Sequence, residues 1–258
     1  MRRWIFATIA LLIILQSNIA FAANDKGNYI AALENRYQRY AAKHPEMEYA
    51  DAVVAVNLKL DEGNYENVLT ATKPDSLEIF VSKHYALPRK YKPENLVSVG
   101  RKYAQGGVTL REDCYSAFLS LAQDMEKEGL TLYIKSGYRT NTKRGGANSG
   151  WYAWPGHSEH QTGLAFDLRK KNVTYETMWE YKYHKTDEYA WLCENAYKYG
   201  FILSYPEGAS NITGFNYEPW HWRYIGVEIA TDMKEKGFTT YHTYWATYKI
   251  QDSLHDYA

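Results

Sequence analysis

The chain is short of cysteine and proline and carries no surplus of either charge. Two cysteines in 258 residues exclude a disulfide-stapled miniprotein. A hydrophobic content of 45% excludes a disordered acidic or basic tail. With 30 basic residues against 30 acidic ones, and no concentrated basic stripe, nucleic acid is not an expected partner. No internal repeat or low-complexity tract appears. What is abundant is tyrosine, 25 residues against 8 Phe and 8 Trp. Its apolar ring and polar tip suit wet concave surfaces and half-buried sheets. The length suits one domain with a modest extension.

The first two dozen residues read as a signal peptide. Arg2 and Arg3 precede an apolar stretch from Trp4 to Leu15, and Ala20-Phe21-Ala22 has the small-x-small pattern of a cleavage site. An uncleaved membrane anchor is the alternative, against which Gln16 and Asn18 interrupt the apolar run. No cysteine follows that run, which excludes a lipoprotein anchor. Removal of residues 1–22 leaves 28 basic and 30 acidic residues, so the expected mature protein is slightly acidic and exported, either extracellular, wall-associated or periplasmic.

The remainder divides into a helical extension over 23–72, a catalytic domain over 73–245 and a tail over 246–258. Ile30, Leu33, Tyr37 and Ala41 share one helical face, and Pro45 ends that helix. Residues 52–60 (AVVAVNLKL) are rich in β-formers and predict a strand before the turn at 61–64. Residues 73–107, with three prolines and little periodicity, predict an extended wrap. Thr109 and Glu112 read as a capping box for a helix whose stripe is Leu110, Cys114, Ala117, Phe118, Leu121 and Met125, stopped by Gly129. Strands are expected at 130–135, around 164–167 and at 201–205, with a helix at 187–198. Such blocks, without βαβ alternation, indicate an α+β fold with a small, mainly antiparallel sheet. Cys114 and Cys193 both fall in helical apolar patterns and read as buried free thiols.

Two of eight histidines keep unusual company: His160 in HSEHQTGLAFD (157–167) and His221 in EPWHWRY (218–224). Asp167 lies on a strand face opposite Leu164 and Phe166, where a carboxylate is costly unless paired or metal-bound. A catalytic zinc site needs three N or O ligands and an open position. His160, Asp167 and His221 fit as ligands, and Glu218 fits as the base that takes a proton from the zinc water. Arg139, leaving a strand in a Gly-Tyr-Arg turn, is the candidate cation for a developing oxyanion.

The segments SGYR (136–139), GHSEHQTGLAFD (156–167), YGFILSYP (199–206) and ITGFNYEPWHWRYIG (212–226) together resemble the VanY-type zinc D-alanyl-D-alanine carboxypeptidases. The pattern Ser-x-His-x-x-Gly-x-Ala-x-Asp falls on Ser158, His160, Gly163, Ala165 and Asp167, and Glu-x-Trp-His falls on Glu218, Trp220 and His221. The resemblance runs from about Leu77 to Tyr241. It implies one zinc ion held by His160, Asp167 and His221, with Glu218 as general base and Arg139 polarising the scissile carbonyl. It also implies Ser158 beside the terminal residue of the substrate, and a Hedgehog/D,D-peptidase-like fold.

Two departures stand out. Arg144 occupies a place where a Gln is usual, in a segment after which His160 follows Arg139 by only 21 positions, and Ser204 stands where the family often carries Arg. Arg144 reads more simply as part of a solvated loop than as a carboxylate clamp. Trp220 and Trp222 read as packing that fixes His221, and His157 and Glu159 as neighbours of the site or surface residues, not ligands. His44, His84, His184, His242 and His255, among polar neighbours, receive no role.

The expected function is an exported zinc metallopeptidase that removes the terminal D-amino acid from peptidoglycan stem peptides by zinc-water attack. It is expected to act as a monomer without a protein partner. The alternatives are an L,D-carboxypeptidase, an endopeptidase cutting cross-links, or a non-catalytic zinc-stabilised wall-binding module. Intact Glu218 and Arg139 speak against the last, since a structural site needs neither.

Overall fold

A computed structural model describes residues 28–140, 150–171 and 179–258. The expected signal peptide at 1–22 and Arg144 lie outside them. Among the described residues, no helix is long and apolar enough to cross a membrane. The chain forms two compact units, one from its N-terminal part to Glu66 with His242–His255, the other from Asn67–Tyr241 with Asp256–Ala258.

The smaller unit contains helices α1 (Glu34–Lys43) and α2 (Tyr49–Asn57). The expected strand at 52–60 is therefore a helix, followed by a turn. Spacing explains the reversal: Ala52, Val53, Ala55 and Val56 are buried, which requires a helical face instead of strand alternation. β-propensity is a preference for packed pleated surfaces, and here helical packing against Tyr37 outweighs it. Asn57, also buried, receives the Tyr37 hydroxyl at 2.8 Å and donates to the carbonyls of Asn28 and Ala246.

The larger unit is built on a four-stranded antiparallel sheet in the order β5-β6-β8-β7, formed by β5 (Ile134–Ser136), β6 (Ala165–Leu168), β7 (Phe201–Leu203) and β8 (His221–Tyr224). Two further pairs lie outside it: parallel β1 (Leu69–Thr70) with β2 (Tyr85–Ala86), and antiparallel β3 (Leu96–Ser98) with β4 (Thr109–Arg111). This is the expected α+β arrangement.

Helix α3 (Glu112–Lys127) buries Cys114, Phe118, Leu121, Ala122 and Met125, close to the predicted stripe. The capping box is not formed. Thr109 is drawn into β4 by its pairing with Ser98, and Arg111 occupies the N-cap without a side-chain cap bond. Gly129, at φ +76°, stops the helix as expected. Strand pairing starts at Ile134, later than the alternation from Leu130 suggested. Both cysteines are free thiols, but Cys193 is exposed, because only Glu188 and Leu192 of α4 (Asp187–Asn195) turn fully inward.

Alternation makes the sheet two-faced. Phe166, Leu168, Phe201 and Trp222 enter the core with Phe118 and Leu121 of α3. The opposite face carries Asp167, His221 and Arg223. The extended wrap covers Arg223, whose guanidinium donates to the carbonyls of Leu77 and Ile79 at 3.0 and 3.1 Å. Two C-terminal tyrosines tie down the same wrap. Tyr241 donates to the Glu78 carbonyl, and Tyr257 donates to the Phe80 carbonyl while accepting the Phe80 N–H.

Candidate active site

Strand register creates the centre. Asp167 of β6 pairs directly with His221 of β8 and, on its other side, with Ser136 of β5. His160 arrives from a short 3-10 turn at Glu159–Thr162, which Gly163 ends at φ +72°. A side chain at Gly163 would be strained in that conformation and would press on Leu96 and Arg111.

The three sequence-predicted ligands converge. Oδ1 of Asp167 lies 3.1 Å from His160 Nε2 and 3.0 Å from His221 Nδ1. Their ligand atoms all fall within 4.8 Å of one another, and all three residues are buried. Two ligands of a tetrahedral zinc with bonds of about 2.0–2.2 Å stand about 3.3 Å apart; the Asp167-to-histidine distances of 3.1 and 3.0 Å already match that spacing, and the widest ligand pair, within 4.8 Å, would have to draw in to hold the ion.

The outer nitrogens are also engaged. His160 Nδ1 faces the Gly137 carbonyl at 2.7 Å, and His221 Nε2 faces Glu159 Oε2 at 2.9 Å. Carbonyl and carboxylate oxygens only accept, so each outer nitrogen carries its proton and donates. A ring already protonated on its outer nitrogen keeps the inner lone pair for a metal. A metal held here would therefore meet Nε2 of His160 and Nδ1 of His221. The donor set fits a divalent cation.

Electrostatics point the same way. Burial works against the Asp167 carboxylate, but His160, His221 and Arg139 outweigh it and hold the group well below the usual carboxylate range. Burial chiefly, with Arg139 assisting, lowers His160 to about 4. For His221 burial is overcome by Asp167 and Glu159, which raise it to about 10 when a proton is the only cation on offer. The two carboxylates that flank this ring favour positive charge at the centre.

The Glu218 carboxylate lies beside the ligands without bonding to them, while its backbone carbonyl accepts the His221 N–H at 3.0 Å. Its Oε2 is 3.9 Å from His221 Nδ1, too far for a hydrogen bond, and its N–H is fixed on the Tyr205 carbonyl. Burial raises this carboxyl to about 8, so it both holds and releases a proton near neutrality. Arg139 reaches the centre from the end of β5. Its N–H is bonded to the His160 carbonyl, and its guanidinium stands 3.7 Å from Asp167 Oδ2 with a third of the side chain exposed. Ser158, half-buried, precedes the turn without capping it.

Of the two places the sequence allows Glu159, beside the site or at the surface, the structure shows the first. It is buried, and its carboxylate meets His221, the Ser204 hydroxyl at 2.6 Å and Arg223 at 3.5 Å. Burial alone would raise it, yet these partners hold it at about 2. The departure at Ser204 thus has a structural use. His157 is buried too, with Nδ1 on the Ser82 carbonyl. His84 and His242, which the sequence gives no role, are likewise buried. Trp222 packs in the core and Trp220 stacks on Trp151, with ring centroids 6.3 Å apart. Trp151, Tyr152 and Trp154 are exposed.

Comparison with known proteins agrees with the site. The VanY family model, described as D-alanyl-D-alanine carboxypeptidase, matches residues 107–227. The putative carboxypeptidase YodJ of Bacillus subtilis is 32% identical over 192 residues, which cover 66% of this chain and 67% of YodJ. The structure of the LdcB LD-carboxypeptidase superposes with a TM-score of 0.63 at 31% identity, covering 71% of this chain and 92% of LdcB. A D,D-pentapeptidase VanY from a VanB-type vancomycin resistance cassette, solved with Zn(II), gives a TM-score of 0.51 at 27% identity, covering 69% of this chain and 98% of that one.

Proposed function

The chain belongs to the VanY family of D-alanyl-D-alanine carboxypeptidases, and from that premise we propose that it removes the terminal D-alanine from peptidoglycan stem peptides. It is a zinc-dependent enzyme, and the observation that carries the reading is the convergence of His160 and His221 on one oxygen of Asp167 beside a Glu218 carboxylate that bonds neither histidine. Held by these three side chains, zinc supplies a Lewis acid and a water acidified towards neutral pH.

The protein residues then have separable tasks. Glu218 receives the proton of the attacking water and passes it to the departing amine, which needs a carboxyl that ionises close to neutrality. Arg139, half-exposed at the end of β5, offers a fixed positive charge to the carbonyl oxygen as negative charge develops there. The Ser158 hydroxyl, not used as a cap, is available to the terminal carboxylate of the substrate. No side chain forms a covalent bond with the peptide.

The leader-like pattern at Arg2, Arg3 and Ala20–Ala22 supports export to the compartment where this polymer lies. Cell fractionation checks that placement. The likeness to LdcB favours a second reading, cleavage of tetrapeptide stems. Incubation of the zinc-loaded protein with defined penta- and tetrapeptide stems, followed by mass analysis, separates the two. Loss of one D-alanine from the pentapeptide is expected. Trimming of the tetrapeptide alone supports the second reading, and absence of product from both overturns the two together. Glu218→Ala should lower kcat by about 10²–10⁴-fold with zinc retained; parallel loss of zinc would make Glu218 a ligand instead.

A further inference from the structure

The two histidines face the metal position through different nitrogens, and only one of them is oriented by a side chain. His160 donates to the Gly137 backbone carbonyl, whereas His221 donates to Oε2 of Glu159. Glu159 is buried and heavily constrained. Ser204 Oγ donates to the same Oε2 at 2.6 Å, Arg223 faces Oε1 at 3.5 Å, and Arg223 is itself pinned to the carbonyls of Leu77, Ile79 and Tyr224. A carboxylate offers no proton, so when the inner nitrogen of a neutral imidazole is given to a metal, the outer nitrogen that faces Glu159 carries the ring's one proton. We propose that Glu159 is a positioning residue for the reaction: held by Ser204 and Arg223, it fixes His221 with its proton on Nε2 and thereby presents Nδ1 to zinc.

The surrounding chemistry is specific to this task. Arg223 shares a sheet face with His221 on β8, so one strand delivers both the ligand and the cation that steadies the ligand's partner. Ser204, next in line after β7, donates its N–H to the His221 carbonyl while its hydroxyl donates to Glu159. Backbone and side chain of His221 are therefore referenced to one residue. Glu159 also lies immediately before His160, so the turn that delivers one ligand orients the other. Without Glu159, His221 loses the acceptor that selects its protonation pattern, and the ring is free to expose N–H instead of a lone pair to the metal.

The test uses the full chain and zinc alone. Zinc affinity is measured by chelator competition for wild type, Glu159→Ala and Glu159→Gln, with NMR of the imidazole N–H protons in the zinc-loaded forms. Glu159→Ala should weaken zinc by about 10–100-fold and erase the downfield His221 Nε2–H resonance. The His160 Nδ1–H resonance, held by the backbone, should persist. Glu159→Gln, which still accepts through its amide oxygen, should restore the His221 resonance and most of the affinity. Zinc affinity within threefold of wild type in Glu159→Ala, an unchanged His221 resonance, or loss of both histidine resonances together would each overturn the proposal. It rests on His160, Asp167 and His221 being the ligands. Wild-type protein that takes up no zinc breaks that reading, whereas normal wild-type uptake with an indifferent Glu159→Ala breaks only this one.

Discussion

The His160 half of the centre and the His221 half reach the same result by different means. His160 sits on a 3-10 turn, takes its orientation from the Gly137 carbonyl and gives its own carbonyl to the Arg139 N–H. Backbone alone holds its outer nitrogen. His221 sits on a regular strand and takes its orientation from Glu159, which Ser204 and Arg223 hold in turn. A backbone acceptor cannot be mutated away and costs no side-chain entropy. A side-chain acceptor adds charge, which strengthens the hydrogen bond, but requires its own buried cation. The irregular element therefore carries the simpler support, and the regular strand depends on a polar cluster.

Asp167 joins the halves, and its loss should have the largest effect. Asp167→Ala is expected to weaken zinc by more than the roughly 10–100-fold typical of outer partners, which metal analysis after dialysis will show. Retention of stoichiometric zinc would mean that the halves bind independently. Next comes Arg223→Leu, which strands the buried Glu159 carboxylate and releases three carbonyls. Urea unfolding should report a loss of about 3–5 kcal/mol, against which an unaltered midpoint would show that the cluster is not needed for the fold.

The backbone half is probed by Gly137→Ala. A Cβ there would lie 2.3 Å from the Thr109 carbonyl oxygen, an atom held in β4 that cannot easily retreat. A loss of about 1–3 kcal/mol is expected, with weaker zinc binding because the Gly137 carbonyl must shift. If stability falls while zinc affinity does not, His160 does not depend on that carbonyl. The smallest effect belongs to Ser204→Ala, which removes one of the contacts to Glu159. About 1 kcal/mol of stability and a few-fold change in zinc affinity are expected, and an effect as large as that of Arg223→Leu would invert the assigned hierarchy.

The sequence was informative where local pattern and chemistry coincide. Alternation around Leu164–Asp167 placed a carboxylate opposite the apolar face, and burial of Phe166 and Leu168 in the core accounts for it. The stripe of α3 follows 3.6-residue periodicity because one face packs on the sheet. Pattern misled where a neighbour distant in sequence decided the outcome. Thr109 looks like a helix cap until Ser98 recruits it into a strand, and Val53 and Val56 look like strand residues until Tyr37 offers a helical surface. Glu159 looks like a polar neighbour of a ligand, since nothing adjacent announces Ser204 or Arg223.

By itself the sequence determined the inventory: the family, the α+β class, and the residues His160, Asp167, His221, Glu218 and Arg139 as those able to do zinc chemistry. Residue type and short-range spacing suffice for that, because they set which groups can ionise, ligate or alternate across a strand. Only the tertiary structure decided which nitrogen of each histidine faces inward and which residue holds it there. That choice depends on hydrogen bonds such as His221 to Glu159, between residues 62 positions apart, and such contacts exist only once β6, β7 and β8 are in register.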